Sequence, residues 1–169
     1  MVVHMASIAR RVEVEQLNVF FRPGLVVTLQ NGQPGDCLEP VRKRLRQGRG
    51  RLRAAGADYL AYSLLDAVVD GYFPVLEEFG EQLEVLEGEV VEGSVGRNAA
   101  RRIHAAKHDL LTLRRGIWPL RDAIGTLLSD DSLHFGQEAR LYLRDCHDHA
   151  VQLIDIVDTY REVASILMD

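Results

Sequence analysis

The stretch whose reading decides the fold is DYLAYSLLDAVVDGYFPVLEEFGEQLEVLEGEVVE, residues 58–92. Within it Leu65, Val69, Tyr72, Leu76, Phe79, Leu83, Leu86 and Val90 recur in alternating steps of four and three. A helix places such a heptad seam on one stripe, and a strand scatters it over both faces. At about 1.5 Å per residue the segment predicts a rod of about 50 Å. Pro74 removes a backbone donor inside it and predicts a bend. Two more seams follow, one through Ile103, Ala106, Leu110, Leu113, Ile117, Leu120, Ile124 and Leu127. The other runs through Leu143, Cys146, Ala150, Leu153, Val157, Tyr160, Ala164 and Leu167. Gly93-Ser94-Val95-Gly96 reads as the turn between the first two helices, and Ser129-Asp130-Asp131-Ser132 separates the second from the third. Pro119 predicts a bend in the second helix. No Gly or Pro stops the third, which is expected to run on past Asp169.

Upstream the period changes. Val12, Val14, Leu17, Val19, Phe20 and Phe21 form a β-rich run, Arg22-Pro23-Gly24 breaks it, and Leu25 to Leu29 resumes it, so residues 12–29 read as a hairpin. Residues 31–36 carry turn chemistry, and Pro40 opens a short basic helix that ends near Gly48 and Gly50. His4-Met5-Ala6-Ser7 looks like the scar of an expression vector, which sets residues 1–7 outside the expected fold. The fold class that results is α+β and helix-dominated. A partial α/β region (8–53) carries the N-terminal β-hairpin and the basic helix. Two long antiparallel helices occupy 54–129, and a long C-terminal stalk helix begins within 130–169.

The chain has 169 residues, 47% hydrophobic and 27% charged, with a formal charge of -5. That supports one packed domain and argues against nucleic acid as a partner, which calls for a basic surface. No run approaches the ~18 apolar residues of a membrane span. Cys37 and Cys146 give no disulfide framework. The charge is segregated. Seven basic residues lie between Arg42 and Arg53, ten carboxylates and no Lys or Arg between Ala54 and Gly96, and seven basic residues between Arg97 and Arg121. The acidic and second basic segments are therefore expected side by side.

Asp66 and Asp70 stand one helical turn apart, flanking the seam at Leu65 and Val69. Asp145 and His149 share that spacing on the third helix, with Asp148 and His147 beside them, as do His104 and His108 on the second. Such pairs can ligate a metal, but two ligands do not close a site. No nucleophile arrangement or phosphate-cradling glycine motif appears, so the residues give no support to an enzyme.

Residues 58–76, which include Asp66-Ala67-Val68-Val69-Asp70-Gly71-Tyr72-Phe73, resemble a segment of CorA-type divalent-cation transporters. Arg114-Arg115-Gly116-Ile117-Trp118-Pro119-Leu120-Arg121 and Leu143-Arg144-Asp145-Cys146-His147-Asp148-His149 resemble two further segments of the same family, in the same order. The resemblance implies the cytoplasmic, Mg2+-sensing region of a homopentameric channel in the cell membrane, carrying Mg2+ and in some members Co2+ or Ni2+. Regulatory Mg2+ between neighbouring subunits would favour the closed state. Asp66 and Asp145 match acidic residues of those sites, and Asp70, Asp148 and His149 lie beside them. It also implies that the chain is cut at both ends, without the family's first strands, their acidic pair, the transmembrane helices and the Gly-Met-Asn pore signature. Two alternatives stay open: a zinc-transporting member of the superfamily, with Zn2+ in place of Mg2+, and a stand-alone coiled-coil interaction module.

Overall fold

Val3 and Met5 are buried, which brings the N-terminus into the fold. In the computed structural model, which describes residues 1–8, 11–32, 36–48, 50–92, 97–130 and 135–168, Val2–Ile8 forms strand β1. It pairs antiparallel with β2 (Val12–Arg22), Val3 opposite Leu17, and the Tyr72 hydroxyl donates to the His4 carbonyl at 2.9 Å. The expectation that residues 1–7 lie outside the fold is thus corrected. Their alternation of buried Val3 and Met5 with less buried Val2 and His4 is the period of a half-buried strand.

The hairpin expected over 12–29 forms between β2 and β3 (Leu25–Leu29). Arg22 faces Leu25, so Pro23 and Gly24 make a two-residue turn in which Pro sets a negative φ and Gly24 takes φ 79°. The sheet order is β1-β2-β3. Its inner face, including Val3, Met5, Leu17 and Val19, packs on the helices.

Helix α1 (Glu39–Gln47) has Pro40 in its first turn and ends on Gly48 in the left-handed conformation, φ 63°, whose N–H bonds the Leu45 carbonyl. The rod expected over 58–92 is two helices, α2 (Ala57–Asp70) and α3 (Tyr72–Val91). The break falls at Gly71 and not at Pro74. A proline ring clashes with the carbonyl four residues back, here Asp70, so the disruption appears a turn upstream and leaves Pro74 in the first turn of α3, where a missing N–H costs little. Cys37 packs against Gly71 so closely that a side chain there would displace it.

Helix α4 (Arg97–Ser129) runs through Pro119, and α5 (Gln137–Ile166) is the stalk-like third helix. Every residue of the α4 seam is buried, as are the α5 seam residues except Tyr160 and Leu167, which are partly buried. The turn expected at residues 93–96 lies outside the described residues, as do parts of the loops at 31–36 and 129–132 and the Arg49 between the two glycines. Helix α4 packs most extensively on α5, with α3 against both. The expected pairing of acidic α3 with basic α4 comes down, among the described residues, to one ion pair, Arg102–Glu89 at 2.6 Å. Arg114 instead reaches Asp158 on α5. Glu77, Glu78, Glu81, Glu84 and Glu87 stay exposed, because the apolar seam of α3 turns them away from α4.

Candidate metal centre

Helix α2 projects Asp66 and Asp70 from one face, Asp66 half-buried and Asp70 exposed. They line a groove of about 260 Å³ together with Cys37, Pro40 and Arg44 of the α1 region. Burial raises the Asp66 carboxyl above its ordinary value, and the charge of Asp70 adds to this. The Tyr62 hydroxyl, His149 of α5 and Arg44 act the other way without restoring it. Burial, with Asp66 and Asp70 close by, likewise pushes up the Cys146 thiol on α5. Cys37 is pushed up to about 12, first by burial and then by Asp36. Burial thus disfavours the thiolate form of both cysteines.

The fold sets two of the candidate residues, Asp66 and Asp70, in one groove. His149 of α5 lies outside that lining, its ring edge-on to Phe73 at 6.0 Å, and acts on Asp66 only through its charge. Asp145 and Asp148 are exposed on α5, Asp148 lying 3.8 Å from its neighbour His147. Among the described residues no three His, Cys, Asp or Glu side chains converge as a closed metal site. His104 and His108 line one pocket together with Lys107 and Arg161, and His108 lies 3.4 Å from Arg11. Among the described residues no third His, Cys, Asp or Glu joins them. Sequence reasoning missed Tyr62 and Arg44. The first was readable as the i, i+4 neighbour of Asp66, whereas Arg44 arrives only through the packing of α1 on α2.

The donor chemistry fits a hard cation. A half-buried carboxylate crowded by a second one, neither in an ion pair among the described residues, is relieved by positive charge. A site of one or two carboxylates suits Mg2+, which keeps most of its water.

The family model for CorA-like Mg2+ transporter protein matches residues 2–169. The chain belongs to this CorA-like family. It is 40% identical over 157 residues to the cobalt/magnesium transport protein CorA of Thermotoga maritima, covering 93% of this chain and 44% of that one. The chain thus spans less than half the length of this relative. The soluble domain of CorA from Methanocaldococcus jannaschii superposes with a TM-score of 0.87 at 21% identity, over 100% of this chain and 67% of that one. The complete CorA magnesium transporter from the same organism gives 0.81 at 20%, over 100% and 53%. These bear out both the family resemblance and the α+β, helix-dominated fold. Among the described residues no helix is long and apolar enough to cross a membrane.

Proposed function

We propose that this CorA-like chain is the cytoplasmic, cation-sensing region of a homopentameric transporter whose cargo is Mg2+ or Co2+, anchored through membrane helices not contained in these residues. The observation that carries the reading is the half-buried Asp66 carboxylate, held above its ordinary pKa by burial and by Asp70. Asp66 of one subunit and Asp145 of the next would hold the regulatory cation, with Asp70, Asp148 and His149 at its margin. When bound, a divalent cation supplies the charge that lets these carboxylates approach. Without it, Asp66 and Asp70 repel each other and whatever acidic surface faces them. The exposed carboxylates of α3 add to that field. Helix α5 carries Asp145 and would pass the change in spacing along its length. The result is a population shift between two subunit arrangements, governed by the difference in cation affinity between them.

The test replaces Asp66 and Asp145 together with Asn in the transporter that carries this chain. Transport by the double variant should no longer be inhibited by millimolar internal Mg2+, while uptake at low Mg2+ persists. Inhibition at the wild-type concentration would overturn the assignment.

A further inference from the structure

A groove of about 440 Å³ opens between α4 and α5, and it shares no lining residue with the groove at Asp66. Helix α4 contributes His104, Lys107, His108 and Leu111, spaced i, i+3, i+4 and i+7, so they form one stripe. Helix α5 contributes Arg161, Ser165 and Met168, spaced i, i+4 and i+7, as the opposite wall. Residues that flank the apolar seam of two packed helices ordinarily carry opposite charges, which pair across the contact. Here both walls are basic, and among the described residues no carboxylate lines the groove.

The nearby acids are already engaged. Asp109, next to His108, is held by the Arg11 fork at 2.7 to 3.0 Å. Asp158 is shared, its Oδ1 accepting from Arg114 Nε at 3.0 Å and from a terminal nitrogen of Arg161 at 3.0 Å. Two guanidinium groups against one carboxylate leave a surplus of positive charge, and Lys107 makes no ion pair among the described residues. Arg161 spends one of its five N–H donors on Asp158 and keeps the others. The His108 ring adds a donor without needing charge. Arg11 can only donate, so its nitrogen 3.4 Å from His108 Nδ1 places the ring hydrogen on Nε2.

Lys107 and Arg161 repel the metal cation that a histidine pair alone would invite. Their donors call instead for an anion with several acceptor oxygens. A phosphate group takes the arginine fork in two bonds and the lysine as a point charge. The groove is larger than a lone phosphate needs and falls within the range of about 300–1,000 Å³ typical of small-molecule sites. Leu111 and Met168 give it an apolar wall for the rest of the ligand. The net charge of -5 and the exposed carboxylates of α3 repel an anionic bilayer, whereas a small ligand seated in the recess meets the cations directly.

We infer that the groove between α4 and α5 binds a soluble organic phosphate of nucleotide size, its phosphates on Lys107 and Arg161 and its apolar part against Leu111 and Met168. Bound there, the ligand ties α4 to α5.

The test titrates the full chain by calorimetry, in divalent-free buffer at constant ionic strength. The ligands are ADP, adenosine, inorganic phosphate and phosphatidylglycerol vesicles. ADP should bind once per chain with a Kd below about 1 mM, phosphate more weakly and adenosine not at all. Lys107→Gln removes the charge at nearly equal length and should weaken ADP about tenfold. Arg115→Gln removes an exposed charge on the same helix, outside the groove, and should leave ADP binding unchanged. Absence of ADP binding, or wild-type affinity in Lys107→Gln, overturns the site. Equal losses in Lys107→Gln and Arg115→Gln also overturn it, because general attraction to a basic helix then accounts for the binding. Adenosine binding as tightly as ADP overturns the role of the phosphate. Vesicle binding that Lys107→Gln abolishes, with no response to ADP, overturns the soluble ligand in favour of a lipid headgroup.

Discussion

Asp109 is 8% exposed on α4, a carboxylate that an apolar seam would reject if it stood alone. Arg11, just before β2, meets it in a fork. Its Nε donates to both carboxylate oxygens at 3.0 and 2.8 Å, and a terminal nitrogen donates to one of them at 2.7 Å. The bidentate geometry fixes the start of the hairpin against the middle of α4. Removing one partner leaves a desolvated charge, which is more damaging than removing both. Arg11→Ala is therefore expected to lower stability by about 1–3 kcal/mol. Arg11→Met combined with Asp109→Leu should recover most of that loss. Urea denaturation midpoints of the three proteins decide it, and an equal loss in the single and double variants would show that Asp109 is solvated after all. Nothing in the heptad pattern announced this pair. Asp109 precedes the seam residue Leu110 and reads as an ordinary solvated position until the fold places Arg11 over it.

At the scale of elements, the α1 region is built on a buried carboxylate. Asp36 accepts the Leu38 N–H at 3.0 Å, two bonds from the Arg42 guanidinium at 2.7 and 2.8 Å, and one from the Gln30 amide. Burial alone would raise its pKa, but the donors outweigh burial and hold the carboxyl below its ordinary value. A lowered folded pKa means the stabilisation is complete above the unfolded value of about 3.9 and is lost as the pH falls through the folded value. Asp36→Asn is expected to be less stable than wild type at pH 7. The gap should narrow steadily below about pH 4, as followed by thermal melts between pH 7 and 3. A constant gap would mean that Asp36 owes nothing to its charge. The elements also show which signals travel well from sequence to structure. The seams did, because each rests on many apolar positions that must agree on one period. The break at Gly71 did not follow from Pro74 read as a local kink, because the clash acts a turn upstream. Strand β1 is masked in the sequence by the vector-like tetrapeptide His4-Met5-Ala6-Ser7, although Val3 and Met5 already carry the alternation of a half-buried strand.

Across the whole molecule, helices were legible where one chain buries them, and the candidate site was legible only in part. Asp66 with Asp70 and Asp145 with His149 follow from i, i+4 spacing, but only the family resemblance links Asp145 to Asp66, and among the described residues the fold does not gather Asp145 into one site with Asp66 and Asp70. The sheet shows the same asymmetry. Its inner face is covered by helices, whereas its outer face exposes Phe20 (56%), Leu25 (42%), Val27 (40%) and Leu29 (57%), with Phe20 directly opposite Val27. Among the described residues β3 pairs only with β2, so its other edge offers unpaired backbone groups beside that apolar surface. The exposed carboxylates of α3 and the net charge of -5 oppose association by repulsion, and salt screens that repulsion while leaving the apolar face unchanged. The chain is therefore expected to bind a hydrophobic dye and to self-associate more strongly as salt rises. Phe20→Thr with Val27→Lys should suppress both and shift the urea midpoint by less than about 0.5 kcal/mol, since neither side chain contributes to the core. Light scattering against salt for the two proteins is the measurement. If the double variant associates as strongly as wild type, the sheet face is not the adhesive surface, and the helices become the place to look.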